Sequence, residues 1–185
     1  MEQKLLDLTN NLQAITDDAR SSFGGLSGEQ LNWKPSEKGW SVAQCIEHII
    51  LTNSEFFGEI DKIADGTRKN SFFENYSPFT GWLGRFLIKA VTEGSRPAKV
   101  PSRRVAPPSD VSPDIVDKYC GHQAEIGEKI KLTGDADWQK TVLTSPFLPV
   151  FTYSLADAYV VLIEHSKRHI NQAKRVMKVE GFPGS

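Results

Sequence analysis

The sequence has 185 residues, of which 39% are hydrophobic and 24% are charged, a composition typical of a folded globular protein and not of a disordered one. Its 22 lysines and arginines against 23 aspartates and glutamates argue against a dedicated nucleic-acid-binding protein. Because it lacks an apolar run of roughly 20 residues and a secretory signal pattern, we expect one cytoplasmic domain over residues 1–185, with no membrane partner.

The N-terminal third of the sequence predicts two helices joined by an irregular connection. Over residues 2–23 the apolar residues recur at spacings of three and four, the pattern of an amphipathic helix, and two glycines then end it. Residues 26–40 contain proline and glycine and predict an irregular connection. Ser41, followed three residues later by Gln44, is a helix-start pattern and predicts a second helix over residues 42–64.

Residues 65–110 are the least regular part of the sequence. A short helix is predicted around residues 82–92, whereas the run rich in proline and arginine over residues 96–110 cannot continue a helix. No alternating pattern typical of a β-strand occurs in the sequence. We therefore predict a long irregular crossover between helices, which also carries an aromatic cluster of Phe72, Phe73, Tyr76, Phe79 and Trp82.

The C-terminal part of the sequence predicts two further helices. A serine–proline–aspartate sequence begins a third helix over residues 112–132, with proline at the first helical position and an acid in the first turn. After a loop, Ser154 or Thr152 is expected to cap the last helix, which should extend to about Val179. Four long helices with one long crossover predict an all-α four-helix bundle, a fold whose core often houses metal sites.

Three of the four histidines stand where they could share one metal ion. His165 and His169 are four residues apart, so in an α-helix their rings lie one turn apart on the same face. That face is apolar, and a buried imidazole needs partners for its nitrogens, which one metal ion can supply to both rings. His48, at the edge of the apolar stripe of the second helix, would complete a three-histidine site with an open position for water or substrate.

Ordinary structural roles compete with this interpretation. A histidine pair at this spacing can arise by chance, and a histidine on an apolar face is often a hydrogen-bonded core residue. Cys45 lies one turn before His48 and could join a mixed ligand set, because thiolate binds zinc well, but we favour a buried, reduced thiol for Cys45 and also for Cys120. His122 lies in a charged part of the third helix and is predicted to be a surface residue.

Residues around the three histidines give weaker indications. Glu47 and Glu164 each precede a histidine and so project roughly 100° away from it, which favours supporting or solvated residues over general bases. The aromatic cluster could cover a metal pocket, although aromatic residues at irregular spacing are more often part of the core. Gln172 could hydrogen-bond a metal-bound group or simply fill a polar gap, and Trp33 and Trp40 are interpreted as packing residues at the bundle end. Cations of the crossover could meet a substrate carboxylate, although a solvated surface is commoner: Arg96, Lys99, Arg103 and Arg104.

Together these features resemble the DinB-like family, also called the YfiT-like metal-dependent hydrolases. The resemblance rests on Leu31–Trp33 with Pro35, on Trp40–Gln44 and the following Glu47–Ile49, and on His165, His169, Ile170 and Gln172. The family carries one histidine on the second helix and an H-x-x-x-H pair on the last, which correspond here to His48, His165 and His169. The resemblance implies an up-down-down-up bundle, often dimeric, with zinc or nickel at these three residues.

The resemblance also implies a function. Some members of the family are thiol S-transferases, in which the metal would activate a low-molecular-weight thiol such as bacillithiol, mycothiol or glutathione for reaction with a small electrophile. Two alternatives stay open: a metal-dependent hydrolase with metal-activated water, and a non-catalytic, stress-induced protein whose metal only links two helices. The sequence identifies no catalytic residue beyond the candidate metal ligands.

Overall fold

The architecture is a bundle of helices with one small β-ribbon. The computed structural model describes residues 2–92, 94 and 102–184. In chain order its elements are α1 (Glu2–Phe23), α2 (Gly28–Asn32), α3 (Val42–Ser54), α4 (Phe57–Ala64), α5 (Phe72–Tyr76), α6 (Thr80–Val91), a 3-10 turn (Arg103–Val105), α7 (Ile115–Leu132), β1 (Val142–Thr144), β2 (Thr152–Ser154) and α8 (Leu155–Val176).

Four of these helices enclose the core. α1 and α3 each pack against both α7 and α8, which gives the predicted all-α bundle. The fully buried large side chains lie between these helices and at the end of the bundle, and they are Trp138, Tyr119, Tyr153, Tyr159, Phe23, Leu31, Ile46, Ile49, Ile60, Ile115, Ile126 and Ile130. Within the described ranges, no helix combines the length and the apolar character that crossing a bilayer would require.

Helix caps fix the starts of the two helices that matter most for the site. The Ser41 hydroxyl accepts a hydrogen bond from the Gln44 backbone N–H at 3.1 Å, and Gln44 Oε1 accepts one from the Ser41 N–H at 3.2 Å. The Ser154 hydroxyl accepts from the Asp157 N–H at 3.0 Å. Each cap satisfies N–H groups that a helix start leaves without partners, so the predicted starts of α3 and α8 are confirmed.

The structure corrects several predicted boundaries. The predicted helix over residues 42–64 is divided into α3 and α4, because the Phe56 N–H donates to the Asn53 carbonyl three residues back and tightens the chain into a turn. The short helix α2 lies in the segment predicted to be irregular, and its Ser27–Gln30 capping box has the same spacing as the one that begins α3. α8 ends at Val176, earlier than predicted.

The loop before the last helix contains the other unpredicted element. Strands β1 and β2 pair in antiparallel fashion, with Leu143 opposite Tyr153. Each strand has three residues, too few for an alternating pattern to be visible in the sequence. The crossover is likewise more ordered than predicted: α5 packs against β1, and α6 packs against β2 and α8. α6 agrees with the short helix that was predicted around residues 82–92.

Candidate metal centre

Three histidine rings meet where α3 faces α8. His48, His165 and His169 each offer a ring nitrogen, and these nitrogens all lie within 4.8 Å of one another. The ring centroid of His48 is 5.1 Å from that of His165 and 4.7 Å from that of His169. The centroids of His165 and His169, both on α8, are 4.5 Å apart. Three imidazole nitrogens at this spacing form a group that could hold one divalent metal ion.

The helices that carry these rings are tied together beside them. Asn53, which follows His48 further along α3, is fully buried and donates from Nδ2 to the Ser166 hydroxyl of α8 at 3.3 Å. Ser166 follows His165 directly, so this bond fixes the separation of the two helices at the level of the site. The i, i+4 spacing on α8 then places His165 and His169 on the face that looks toward α3.

Hydrogen bonds orient two of the three rings. His48 Nδ1 lies 2.6 Å from the carbonyl oxygen of Val105, in the 3-10 turn of the crossover. Because a carbonyl only accepts, Nδ1 carries the proton and the Nε2 lone pair is left for a metal. His169 Nδ1 lies 3.0 Å from Gln172 Oε1, which selects the same tautomer. Such supporting contacts are the usual means by which proteins orient metal-binding histidines.

His165 provides the test of whether these residues fit a metal ion. Its Nδ1 is buried and has no hydrogen-bond partner within the described part of the chain. A polar nitrogen buried in this way costs free energy unless something satisfies it. With three ring nitrogens converging and one ring incompletely satisfied, the donor set fits a divalent ion that accepts imidazole ligands.

Burial also sets the protonation state of the site. Loss of hydration lowers the pKa of all three rings, against the opposing effects of the Val105 carbonyl on His48 and of Gln172 on His169. The pKa of His169 falls to about 3, and that of His165 falls well below its ordinary value, with the neighbouring rings adding to the effect of burial. All three imidazoles are therefore neutral near pH 7, the form that coordinates metals.

The three rings line one wall of a pocket of about 250 Å³. Its remaining walls come from α6, from the loop between β1 and β2, from Trp40 just before α3, and from the end of α3 with the turn that follows it, and the lining is mostly apolar. Trp40 belongs to this wall: its ring centroid is 4.8 Å from that of His48 and 5.8 Å from that of His169. The other apolar side chains that line the pocket are Phe56, Leu87, Ala90, Val91, Phe147, Leu148, Val161 and Leu162.

Cys45, considered as an alternative ligand, and Glu47 and Glu164, considered as general bases, lie outside this group. Cys45 is buried, and loss of hydration raises the pKa of its thiol to about 12, so that it stays protonated. Both Cys45 and Cys120 are free and buried, as expected for reduced thiols. Glu164 pairs with Lys167 at 3.0 Å and, like Glu47, is not part of the convergent histidine group.

The structure shows which of the residues predicted around the histidines contact the site. Gln172 does touch the site, through His169, and Trp40 lines the pocket instead of merely closing the bundle end. Arg103 and Arg104 are exposed and do not line the pocket, and Arg104 pairs with Glu55 at 3.2 Å. Arg96 and Lys99 lie outside the described residues.

The burial of His122 and the exposure of the aromatic cluster both differ from what the sequence predicts. His122 is 8% exposed, stacks on Phe57 with centroids 5.0 Å apart, and has its pKa lowered to about 4 by burial. It is buried because the turn after α3 brings α4 against α7. The described side chains of the aromatic cluster do not line the pocket and are exposed to solvent. They are Phe72, Tyr76, Phe79 and Trp82.

Two contributors to the site were not predicted from the sequence. Arg168 lines the pocket beside His169, and its Nη1 donates to the Ala90 carbonyl of α6 at 2.9 Å. Because Arg168 directly precedes His169, the helical period predicts that its side chain projects about 100° away from that ring, so the pattern offers no signal for this role. The Val105 carbonyl gives no side-chain signal, so that its contact with His48 was not predictable from sequence patterns.

Comparison with known proteins adds one finding to this geometry. The family model described as the DinB superfamily matches residues 11–173, a range that includes all three histidines and most of the chain. No curated protein and no solved structure shows significant similarity to the chain.

Proposed function

Because the chain belongs to the DinB superfamily, we propose that it is a metal-dependent thiol S-transferase in which His48, His165 and His169 hold one zinc or nickel ion. The observation that carries this proposal is the group of three neutral, convergent imidazoles on the wall of an apolar pocket. When bound by three imidazoles, a divalent ion keeps a coordination position open and lowers the pKa of a thiol, which makes the reactive thiolate available at neutral pH.

The protein residues would hold and orient the reactants. Val105 and Gln172 fix the tautomers of His48 and His169, so that their Nε2 lone pairs are available without rearrangement. The apolar side chains of α6 and of the β1–β2 loop would bind the carbon skeleton of an electrophile and exclude water from the reacting sulfur. Arg168 brings a positive charge to the same pocket and would attract an anionic thiol.

The lining of the pocket favours this chemistry over the two alternatives. A hydrolase would need a general base near its attacking water, and the pocket lining contributed by the described residues includes no aspartate or glutamate. A purely structural metal site is normally closed by four protein ligands. Here three ligands face a cavity large enough for a small molecule, as expected for a site that takes a substrate.

The proposal is tested by a conjugation assay. Zinc-loaded and nickel-loaded protein is mixed with glutathione, bacillithiol or mycothiol and with the electrophile monochlorobimane, whose conjugates are fluorescent. We expect turnover with at least one thiol, and a loss of roughly 100-fold or more on His165→Ala because one of the three ligands is removed.

A matched control separates loss of the site from loss of the fold. His122→Phe replaces the histidine that lies outside the group and should keep the rate within about threefold, since the ring stacked on Phe57 is retained. If protein with a full complement of metal conjugates none of the three thiols, the transferase proposal is wrong, whereas the metal site itself would still stand.

A further inference from the structure

Asn53 is a polar side chain in the wall of a mostly apolar pocket. It lines the pocket that the three histidines share, and it is fully buried. Its Nδ2 donates to Ser166, but its Oδ1 is buried without a hydrogen-bond partner in the part of the chain that the structure describes. A buried carbonyl oxygen in this state costs free energy until a donor satisfies it. Such an acceptor beside a pocket indicates a donor on the molecule that the pocket binds.

The orientation of the Asn53 amide is fixed by the next hydrogen bond along. The Ser166 hydroxyl donates its only proton to the Leu162 carbonyl at 2.8 Å, so its oxygen can only accept from Asn53. A flipped amide would set Oδ1 against this oxygen, acceptor against acceptor. The amide nitrogen is therefore the atom that faces α8, and the oxygen is the atom left for another donor.

Asn53 lies at the level of the candidate metal ligands. The residue before it, Thr52, has its hydroxyl oxygen 3.5 Å from His48 Nδ1. Its hydrogen-bond partner, Ser166, directly follows His165. We therefore expect a small molecule whose sulfur lies at the histidines to carry its neighbouring atoms past Asn53, which lines the same pocket.

The other polar side chains of the lining differ from Asn53 in what they offer. Ser145 Oγ already accepts from the backbone N–H groups of Phe147 and Leu148, each at 3.3 Å. Arg168 can only donate, and the lining residues that the structure describes include no aspartate or glutamate. Asn53 Oδ1 carries no net charge, so it suits a neutral amide N–H. An ammonium group would lie beside Arg168 without an opposite charge to stabilise it.

We propose that Asn53 is a specificity-determining residue, whose Oδ1 accepts a hydrogen bond from an amide N–H group of the thiol substrate. The inference rests on the proposed transferase function and names the substrate class within it, which is thiols that carry an amide N–H group close to the sulfur. A thiol of this class satisfies the buried oxygen when it binds. A thiol without the N–H group leaves that oxygen unpaired and is therefore disfavoured.

A purely structural role for Asn53 makes a different prediction. Its bond to Ser166 joins α3 to α8, so a substitution of Asn53 could lower the stability of the protein, or its rate with every thiol alike. Recognition of an N–H group instead changes the ratio of two thiols that differ only in that group. Losses common to both thiols cancel in this ratio, so it separates the two roles.

The test compares N-acetylcysteamine with its ester analogue 2-mercaptoethyl acetate, in which an oxygen atom replaces the N–H group. For each thiol, kcat/KM with monochlorobimane is measured for zinc-loaded protein, and the dissociation constant is measured by calorimetric titration of zinc-loaded and of metal-free protein. We expect the wild type to favour the amide by roughly 10–100-fold, because the ester leaves Asn53 Oδ1 unpaired. Asn53→Leu removes the acceptor at similar volume and should bring the two thiols within about threefold of each other.

Two further variants separate the acceptor from its surroundings. Thr52→Val changes another buried residue of the pocket and should keep the wild-type preference for the amide. Ser166→Ala removes the bond that orients the Asn53 amide and should lower the preference without abolishing it. Circular dichroism and zinc content check that each variant keeps its fold and its metal.

The outcomes distinguish this proposal from the transferase function. If neither thiol is conjugated, the transferase proposal fails, and the two dissociation constants still decide the role of Asn53. A preference for the amide that is lost on Asn53→Leu, in binding or in kcat/KM, supports the role. Failure to bind either thiol, equal values for amide and ester in the wild type, or a preference that survives Asn53→Leu would overturn it.

Discussion

Lowering the pH from about 7.5 to about 5 should reduce the free energy of unfolding of the metal-free protein by at least 4 kcal/mol, an order-of-magnitude value of roughly 2 kcal/mol for each of two buried histidines. The reason is burial, which lowers the pKa of His122 to about 4 and that of His169 to about 3. In the unfolded chain both rings have ordinary pKa values near 6.5 and take up protons over this range, whereas the folded protein does not. The stability is therefore fully present above pH 6.5 and is lost as the pH falls toward the folded-state values.

Each of these two rings accounts for roughly 2 kcal/mol of the effect at pH 5, and His48 and His165, whose pKa values are also lowered, add to it. The measurement is urea unfolding of protein treated with chelator, at a series of pH values. His122→Phe keeps a ring stacked on Phe57 and should recover about 2 kcal/mol of the loss at pH 5. A free energy of unfolding that is constant between pH 7.5 and 5 would show that these imidazoles are not buried as neutral groups.

Zinc added to metal-free protein should raise the melting temperature by about 10 °C. A ligand present at a thousand times its dissociation constant stabilises the folded state by about 4 kcal/mol, provided that it binds the folded state only. For a chain of this size, 1 kcal/mol corresponds to roughly 2–4 °C. The three histidines come from two helices that are far apart in sequence, so the complete group of three histidines exists only in the folded protein.

Single substitutions should divide into three classes in this experiment. His48→Ala and His169→Ala should lose almost all of the zinc-dependent rise, because each removes a ligand. Gln172→Ala leaves all three ligands but removes the acceptor that orients His169, so it should weaken zinc binding by roughly 10–100-fold. His122→Phe should show the full rise, and an equal rise in all variants would mean that zinc binds elsewhere.

The helices of the bundle were predictable where the sequence carries both a period and a cap. Ser41 with Gln44 and Ser154 before α8 mark helix starts that the structure confirms. The same signal exists at Ser27 and Gln30, but the five-residue helix that follows is too short to show an apolar period. Short strands such as β1 and β2 are invisible for the same reason, since three residues cannot establish alternation.

The histidines of the candidate site were predictable from the sequence, but their packing and their hydrogen-bond partners were not. The four-residue spacing of His165 and His169 placed them on one helix face, and three residues further on Gln172 lies on the same face. The proximity of His48 depends on how α3 packs on α8, which is a tertiary property. The carbonyl of Val105 is a backbone group of the crossover, and a contact with a backbone acceptor cannot be predicted from the pattern of side chains.

Burial was the property least accessible from the sequence. His122 has charged neighbours along α7 and so resembles a surface residue, yet α4 covers it. The aromatic cluster has the composition of core residues, yet its described side chains Phe72, Tyr76, Phe79 and Trp82 are exposed. In both cases the exposure of the side chain depends on where a neighbouring element packs, which the pattern along the chain does not show.

The metal content of untagged protein, measured by elemental mass spectrometry for the wild type, His48→Ala, His165→Ala and His122→Phe, tests most directly whether the three histidines form one metal site. We expect close to one zinc or nickel ion per chain in the wild type and in His122→Phe, and almost none in the other two variants. A metal-free wild type that also fails to bind added zinc or nickel, or a metal content that is the same in all four proteins, would contradict the assignment.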